Sequence, residues 1–306
     1  MLTSNTYHLP KTLEEALTLW SDAADESLII SGATDIFPAA RDGRKGDVFI
    51  PELIDITKIK ELDGYTFDNN RIRLGANIVY QDFLIDKNLI ECLPCMPHCA
   101  VWFADDQIRE QASLIGNLIN ASPAADGTPA MIALNGEIEL SRIRKGKIVR
   151  RIVNVIDFIE GPGLTQIKKD EIATAVIVDS AKGYGGSFQK VGQRRSLVIS
   201  VVCCAALVKL TADGSIFDDV RLALGGVGPR PIRLFKIEKM LKRKHFSFDL
   251  IQKAAKLAAD TVASRTRQDY RREVVMNFIF AALEEASSNK PVTLENNKNL
   301  KEHVNA

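Results

Sequence analysis

Apolar residues first recur at helical spacing over Leu13-Glu14-Glu15-Ala16-Leu17-Thr18-Leu19-Trp20, with Thr12 placed to cap the helix. A short apolar run, Ser27 to Ile30, then predicts a buried strand that enters the turn Ser31-Gly32-Ala33-Thr34-Asp35. One or two helical turns are expected over Ile36 to Arg41, ended by Asp42-Gly43, and a further strand over Val48 to Ile56. The first sixty or so residues therefore read as a small β-α-β unit (1–60).

The pattern continues with a strand at Ile72–Ala76, a helix from about Tyr80 to Lys87 and a second helix over Ala100 to Asp105. A Ser-Pro pair, Ser122-Pro123, reads as a helix start, and Thr128-Pro129 restarts a helix through Leu134. Glu137–Leu140 and Lys147–Val153 flank Arg144-Lys145-Gly146, a β-hairpin pattern. These segments form a second unit (61–170). A third unit (171–286) begins near Glu171. It has strand-like runs at 172–178, 187–191, 198–210 and 220–224, the turn signal Asp213-Gly214, and helices near 234–242, 248–263 and 269–285. Tyr270, Val274, Phe278 and Leu283 lie near helical spacing in the last of these. The stretch 287–306 is polar and reads as a frayed tail.

Composition narrows the function classes. The 306 residues are 46% hydrophobic and 26% charged, with a net charge of +1. That near-neutral balance argues against a nucleic-acid or membrane-surface specialist, and leaves the basic hairpin tip as a solvated face. No apolar run reaches the length of a membrane span, and no secretory signal is visible, so a cytoplasmic location is the expectation. Cys203 and Cys204 sit inside an apolar run and read as small hydrophobes. Cys92-x-x-Cys95-x-x-x-Cys99 has room for three metal ligands, but Pro94 and Pro97 interrupt the segment and no fourth cysteine is near. Packed, reduced thiols are the plainer reading.

Two loops carry the candidate chemistry. Gly32 stands between a strand and a helix start, where backbone amides can hold a diphosphate, and Thr34 can cap the helix and donate to the same anion. Asp35 repels phosphate, so its carboxylate is expected to bind loop amides; an ordinary capped turn explains the same residues. The second loop lies in Ser113-Leu114-Ile115-Gly116-Asn117, where glycine and asparagine permit close backbone approach. Asp126 follows, able to accept from ribose hydroxyls or to cap the Thr128 helix. Together these suit a nucleotide cofactor, although neither GxGxxG nor GxxxxGK[ST] occurs. Phe103 reads as a core aromatic or as a neighbour of a flat cofactor ring, and Lys190 as a solvated strand residue or a cation near an anion. Arg194 and Arg195 read as a surface pair. The four histidines are scattered and no nucleophile–base pair is legible, which a redox cofactor would make unnecessary.

The order of several motifs resembles one family. Tyr7-His8-Leu9-Pro10-Lys11-Thr12-Leu13-Glu14-Glu15-Ala16-Leu17 looks like the opening of the FAD-binding (medium) subunits of the molybdenum hydroxylases, the xanthine dehydrogenase and carbon monoxide dehydrogenase family. Ser31-Gly32-Ala33-Thr34-Asp35-Ile36 resembles its first FAD loop. Gln107-Ile108-Arg109 followed by Ser113–Asp126 resembles its "QIRN…TIGGNIxNASPAAD" run. Phe188 to Arg195, Ala223 to Val227 and Arg267 to Arg272 look like its C-terminal part, so the likeness spans Tyr7 to about Glu285. Two positions depart from the pattern: Ile115 replaces the first glycine of the family's pair, and Glu110 replaces the asparagine after Arg109.

The resemblance implies an α+β fold with two α/β FAD-binding subdomains and a C-terminal subdomain of antiparallel sheet plus helices. It implies diphosphate contacts along Ile30, Ser31, Gly32, Ala33, Thr34, Asp35, Ile36 and Phe37, and along Ser113, Leu114, Ile115, Gly116 and Asn117. It places Asp126 at the ribose–adenine side and Lys190 near the flavin, with Phe103 and Ile172 flanking the ring system. It further implies a molybdopterin-binding large subunit and a [2Fe–2S] small subunit as partners, with electrons passing through FAD to NAD⁺ or another acceptor. A stand-alone FAD-dependent oxidoreductase, and an assembly subunit that has lost FAD, remain open alternatives.

Overall fold

The protein is described by a computed structural model covering residues 1–37, 47–194 and 197–288. Strands β1 (Leu2–His8), β2 (Leu28–Ile30) and β3 (Val48–Asp55) make a parallel sheet in the order β1-β3-β2. The helix Leu13–Asp22 begins where expected, with Thr12 Oγ1 accepting from the Glu15 amide at 3.2 Å. β1 is absent from the hydrophobic pattern because it is an edge strand with polar residues on both faces. A helical turn starts at Ile36; the expected helix end at Arg41 to Gly43 lies outside the described residues, as do Arg195 and residues 289–306 of the expected tail.

The second sheet contains β4 (Tyr65–Asp68), β5 (Arg71–Gly75), β6 (Glu137–Arg144) and β7 (Lys147–Asn154). A two-stranded ribbon, β8 (Ile159–Gly161) with β9 (Leu164–Thr165), leads to β10 (Ile172–Asp179). β10 inserts between β5 and β6, giving the order β4-β5-β10-β6-β7 with every pairing antiparallel. This corrects the expectation that the third unit begins near Glu171. The nearly unbroken apolar run of β10 is buried, as suits a central strand, and hydrogen bonds tie it to the second sheet.

Six short helices fill the excursion between β5 and β6, and several differ from the pattern-based reading. The 80–87 helix is two helices, Asp82–Ile85 and Lys87–Cys92, because Asp86 turns extended and accepts from the amides of Asn88 and Leu89. The 100–105 helix is Cys95–Trp102; Pro97 sits in its first turn, where amides lack a helical acceptor, so it starts the helix instead of breaking the segment. Ser122-Pro123 forms a turn, and the helix starts at Gly127 with Thr128 and Pro129 inside its first turn.

β11 (Gly185–Val191), β12 (Val202–Leu210), β13 (Phe217–Gly225) and β14 (Ile232–Arg233) form an antiparallel sheet in chain order. β12 is buried on both faces. Cys203, Ala205 and Leu207 join the core of the second sheet, while Cys204, Ala206 and Val208 join the core under the C-terminal helices. The helices Phe235–Leu241, Phe248–Ala259 and Gln268–Ser287 follow. In the last, Val275, Ile279, Ala282, Leu283 and Ala286 face inward and Tyr270 is exposed, a register different from the one the spacing suggested.

Candidate functional site

A cavity of about 560 Å³ opens where the first two sheets meet. The end of β2 and the following turn, Ile30 to Ile36, line one side. Ser113, Ile115, Gly116 and Asn117 line another, with Phe103 and Ile172 completing a wall. Thus two segments some eighty residues apart in the chain converge on one space. Gly32 makes the convergence possible: its hydrogen faces the Gln111 carbonyl so closely that a β-carbon would overlap the oxygen.

The amides of Gly32, Ala33, Thr34 and Asp35 have no acceptor among the described residues, nor has that of Ile115. Buried or half-buried donors without acceptors are costly unless a ligand or water supplies one. Ala33 adopts φ +54°, a left-handed backbone that turns the loop toward the second segment. That second segment is a helix, Leu114–Ile119, and not the expected loop. Ser113 caps it, its Oγ accepting from the Gly116 amide at 3.2 Å. Ile115 is accordingly an ordinary helical residue with a buried side chain. No glycine-only conformation is required there, and the departure from the family's glycine pair leaves the backbone intact.

Phe103 presents one face to Tyr80, stacked at 3.7 Å between ring centroids and 2° between planes. Tyr80 Oη donates to Asn117 Oδ1 at 3.0 Å, and the same oxygen accepts from the Gly127 amide at 3.1 Å. Asn117 therefore serves the scaffold through its side-chain oxygen. Tyr80 was invisible to the sequence reading, because nothing in its local spacing marks it as the partner of residues 23 and 37 positions away.

A further stretch of the lining is apolar, formed by Trp20, Leu28, Ile29, Ile119 and Ile167 beside Ile172. It is fixed by Glu171, whose side chain is 1% exposed and takes two hydrogen bonds of 2.7 Å from Arg151. Burial alone would raise the Glu171 carboxyl; the Arg151 guanidinium and the Lys168 amide outweigh it and hold the carboxyl below its usual range. Trp20 Nε1 donates to the Glu171 carbonyl. Neither Trp20 nor this pair was singled out from sequence.

Several expected site residues lie elsewhere. Asp126 and Lys190 do not line the cavity. They pair with each other at 2.5 Å, both nearly sealed from solvent, and Ser200 Oγ donates to the other Asp126 oxygen at 2.6 Å. Burial pushes the Asp126 carboxyl up, against the pull of Lys190 and Ser200. In this structure the two expected ligand contacts are partners of each other, as a buried charge requires a complement. Asp126 stands at the N-cap position of the Gly127–Ala133 helix, but its side chain accepts no cap hydrogen bond there. Leu114 points into the core, and Phe37 is exposed beside the loop. The Asp35 carboxylate is exposed and accepts from no amide among the described residues, and Thr34 caps none; the Phe37 amide donates to the Ala33 carbonyl instead.

Cys92, Cys95 and Cys99 are buried, and burial pushes the Cys95 thiol to about 12. Among the described residues no three His, Cys, Asp or Glu side chains converge on a point, and no helix is long and apolar enough to cross a membrane.

Unpaired amides between an aromatic wall and an apolar wall suit an extended ligand with an anionic middle and flat ring groups. Comparison with known proteins gives the same direction. Residues 3–179 match the family described as the FAD binding domain in molybdopterin dehydrogenase, and residues 187–286 the carbon monoxide dehydrogenase flavoprotein C-terminal domain. The chain is 29% identical to the glyceraldehyde dehydrogenase medium chain of Sulfolobus acidocaldarius, over 92% of this chain and 98% of that one. It is 30% identical to the nicotinate dehydrogenase FAD-subunit of Eubacterium barkeri, over 85% and 87%. Among solved structures, a carbon monoxide dehydrogenase from Hydrogenophaga pseudoflava superposes with a TM-score of 0.84 at 23% identity, covering 94% of this chain and 99% of that chain, a likeness of fold.

Proposed function

Because the chain belongs to the family of FAD-binding domains of molybdopterin dehydrogenases, we propose that it is the FAD-binding medium subunit of a molybdenum-containing hydroxylase or dehydrogenase. The observation that carries this reading is the convergence of the Ile30–Ile36 and Ser113–Asn117 segments, with their unpaired amides, on one cavity. The residues fit a dinucleotide. The amides of Gly32 to Asp35 and of Ile115 would receive the phosphoryl oxygens. Phe103, backed by Tyr80, would meet one flat ring; Trp20, Ile29, Ile167 and Ile172 would enclose apolar surface and exclude water. Bound FAD would supply the exchange between one-electron and two-electron steps.

The chain's own part is to bind and orient, and among the described residues no side chain in the cavity is placed as a nucleophile or general base. Relatives named as medium chains and FAD-subunits support the further reading that this chain works beside a large molybdopterin-binding subunit and a small [2Fe–2S] subunit. In that reading electrons leave through FAD to NAD⁺ or another acceptor. Titration of the purified chain with FAD, followed by flavin fluorescence and absorbance, tests the first part: stoichiometric binding is expected, and a colourless chain that ignores FAD overturns it. Purification of the tagged chain from its native host, with molybdenum, iron and subunit analysis, tests the second. Recovery of a lone flavoprotein would favour a stand-alone oxidoreductase.

A further inference from the structure

Two buried cations from different parts of the chain grip consecutive carbonyls. Lys190 Nζ, on β11, donates to the Trp102 carbonyl at 3.0 Å, and Arg109 Nη1 donates to the Phe103 carbonyl at 2.8 Å. Both side chains are almost wholly buried, at 2% and 7% exposure. The next residue, Ala104, has φ +46°, so the backbone here is held in a form alanine adopts reluctantly. The Lys190 contact also closes a circuit. Lys190 binds Asp126; the adjoining Gly127 amide binds Asn117; Asn117 takes the Tyr80 hydroxyl; Tyr80 stacks on Phe103; and Phe103 adjoins Trp102, which Lys190 holds. Gly127 belongs to the same device, since a β-carbon there would overlap the Tyr80 hydroxyl.

We propose that Lys190 and Arg109 are positioning residues that fix the Trp102–Phe103 backbone, so that the Phe103 ring stands ready at the cavity wall. Lys190 thereby ties the β11 sheet to the cofactor wall. The functional consequence rests on the FAD-binding reading above; the clamp itself does not.

The chain has two tryptophans, Trp20 and Trp102, so Trp20→Phe leaves Trp102 as the sole indole reporter of the clamped segment. In that background Asp126→Asn with Lys190→Met removes the charge pair together, avoiding a lone buried charge. The expected result, in the cofactor-free chain, is a red-shifted Trp102 emission with lower anisotropy in a cooperatively folded protein. With Trp20 restored, the same pair of substitutions should weaken FAD binding about tenfold, the worth of one buried hydrogen bond. Arg109→Met attacks the neighbouring carbonyl from another element and should move the same signal, which keeps the test open should the double variant fail to fold. Native emission and anisotropy unchanged in a folded variant would overturn the clamp, since a purely stabilising role lowers only the unfolding midpoint. Should the unaltered chain fail to take FAD, the functional reading falls while the Trp102 signal still judges the clamp.

Discussion

Gly32 and Gln111 touch through backbone alone: the glycine hydrogen occupies the place where any side chain would collide with the Gln111 carbonyl. The contact joins the β2 turn to the segment that feeds the Leu114–Ile119 helix, and so sets the width of the cavity between them.

Gly32→Ala should therefore force the two segments apart and abolish tight FAD binding while leaving the distant C-terminal core folded. Gly116→Ala is the contrast. Its β-carbon would meet only Ser113 Oγ, at 2.8 Å, so the cost is the loss of a cap, about 1 kcal/mol, offset by about 1 kcal/mol of helix propensity. Flavin titration of both variants, with unfolding midpoints, checks the pair. Equal effects on FAD affinity would show that the Gly32 contact is not what sets the cavity.

Ala33→Gly removes a left-handed alanine. The relief of about 1 kcal/mol or more in the folded state is partly cancelled by the added freedom of glycine in the unfolded chain, leaving a gain of roughly 0.5 kcal/mol. Urea unfolding should show a higher midpoint with an unchanged slope.

Arg151→Met would strand the Glu171 carboxylate, which is 1% exposed on the apolar wall. The expected destabilisation is about 3 kcal/mol, and Arg151→Met with Glu171→Gln should recover much of it, because the buried charge goes as well. A double variant no better than the single one would mean that the pair is not what holds the wall. Denaturant unfolding measures both.

His98 predicts a pH dependence. It is buried between β11 and the Gln268–Ser287 helix, with Glu285 Oε1 3.5 Å from Nδ1, and burial lowers its pKa from 6.5 to about 4. A lowered histidine stays neutral in the folded chain while the unfolded chain binds a proton, so stability falls as pH drops from 6.5 toward 4. Across that window the contribution is about 3 kcal/mol, at 1.36 kcal/mol per unit of pKa. Burial raises the Glu285 carboxyl, which works in the opposite sense above its ordinary value. Comparing His98→Gln with the parent isolates the histidine: the variant should lose less stability between pH 6.5 and 4.5 in urea unfolding. Parallel profiles would refute the buried neutral state.

Much of the architecture was legible in the chain. Thr12 caps its helix as read, and the Arg144–Gly146 turn closes its hairpin. The apolar run at 202–210 is a doubly buried strand. These depend on local preference or on a period along the backbone. β1 escaped notice because its polar residues need no core face, and β10 was assigned to the wrong sheet because an apolar run does not say which strands it joins.

Asp126 and Lys190 mark the limit most clearly. Each residue type was compatible with a ligand contact, and only the fold brought them within 2.5 Å of each other and away from water. Sequence alone determined which segments are helix or strand, where the backbone can turn or approach closely, and the motif order that identifies the family. The tertiary structure decided which charges face a ligand and which neutralise one another, because desolvation and packing depend on neighbours in space that the chain keeps far apart.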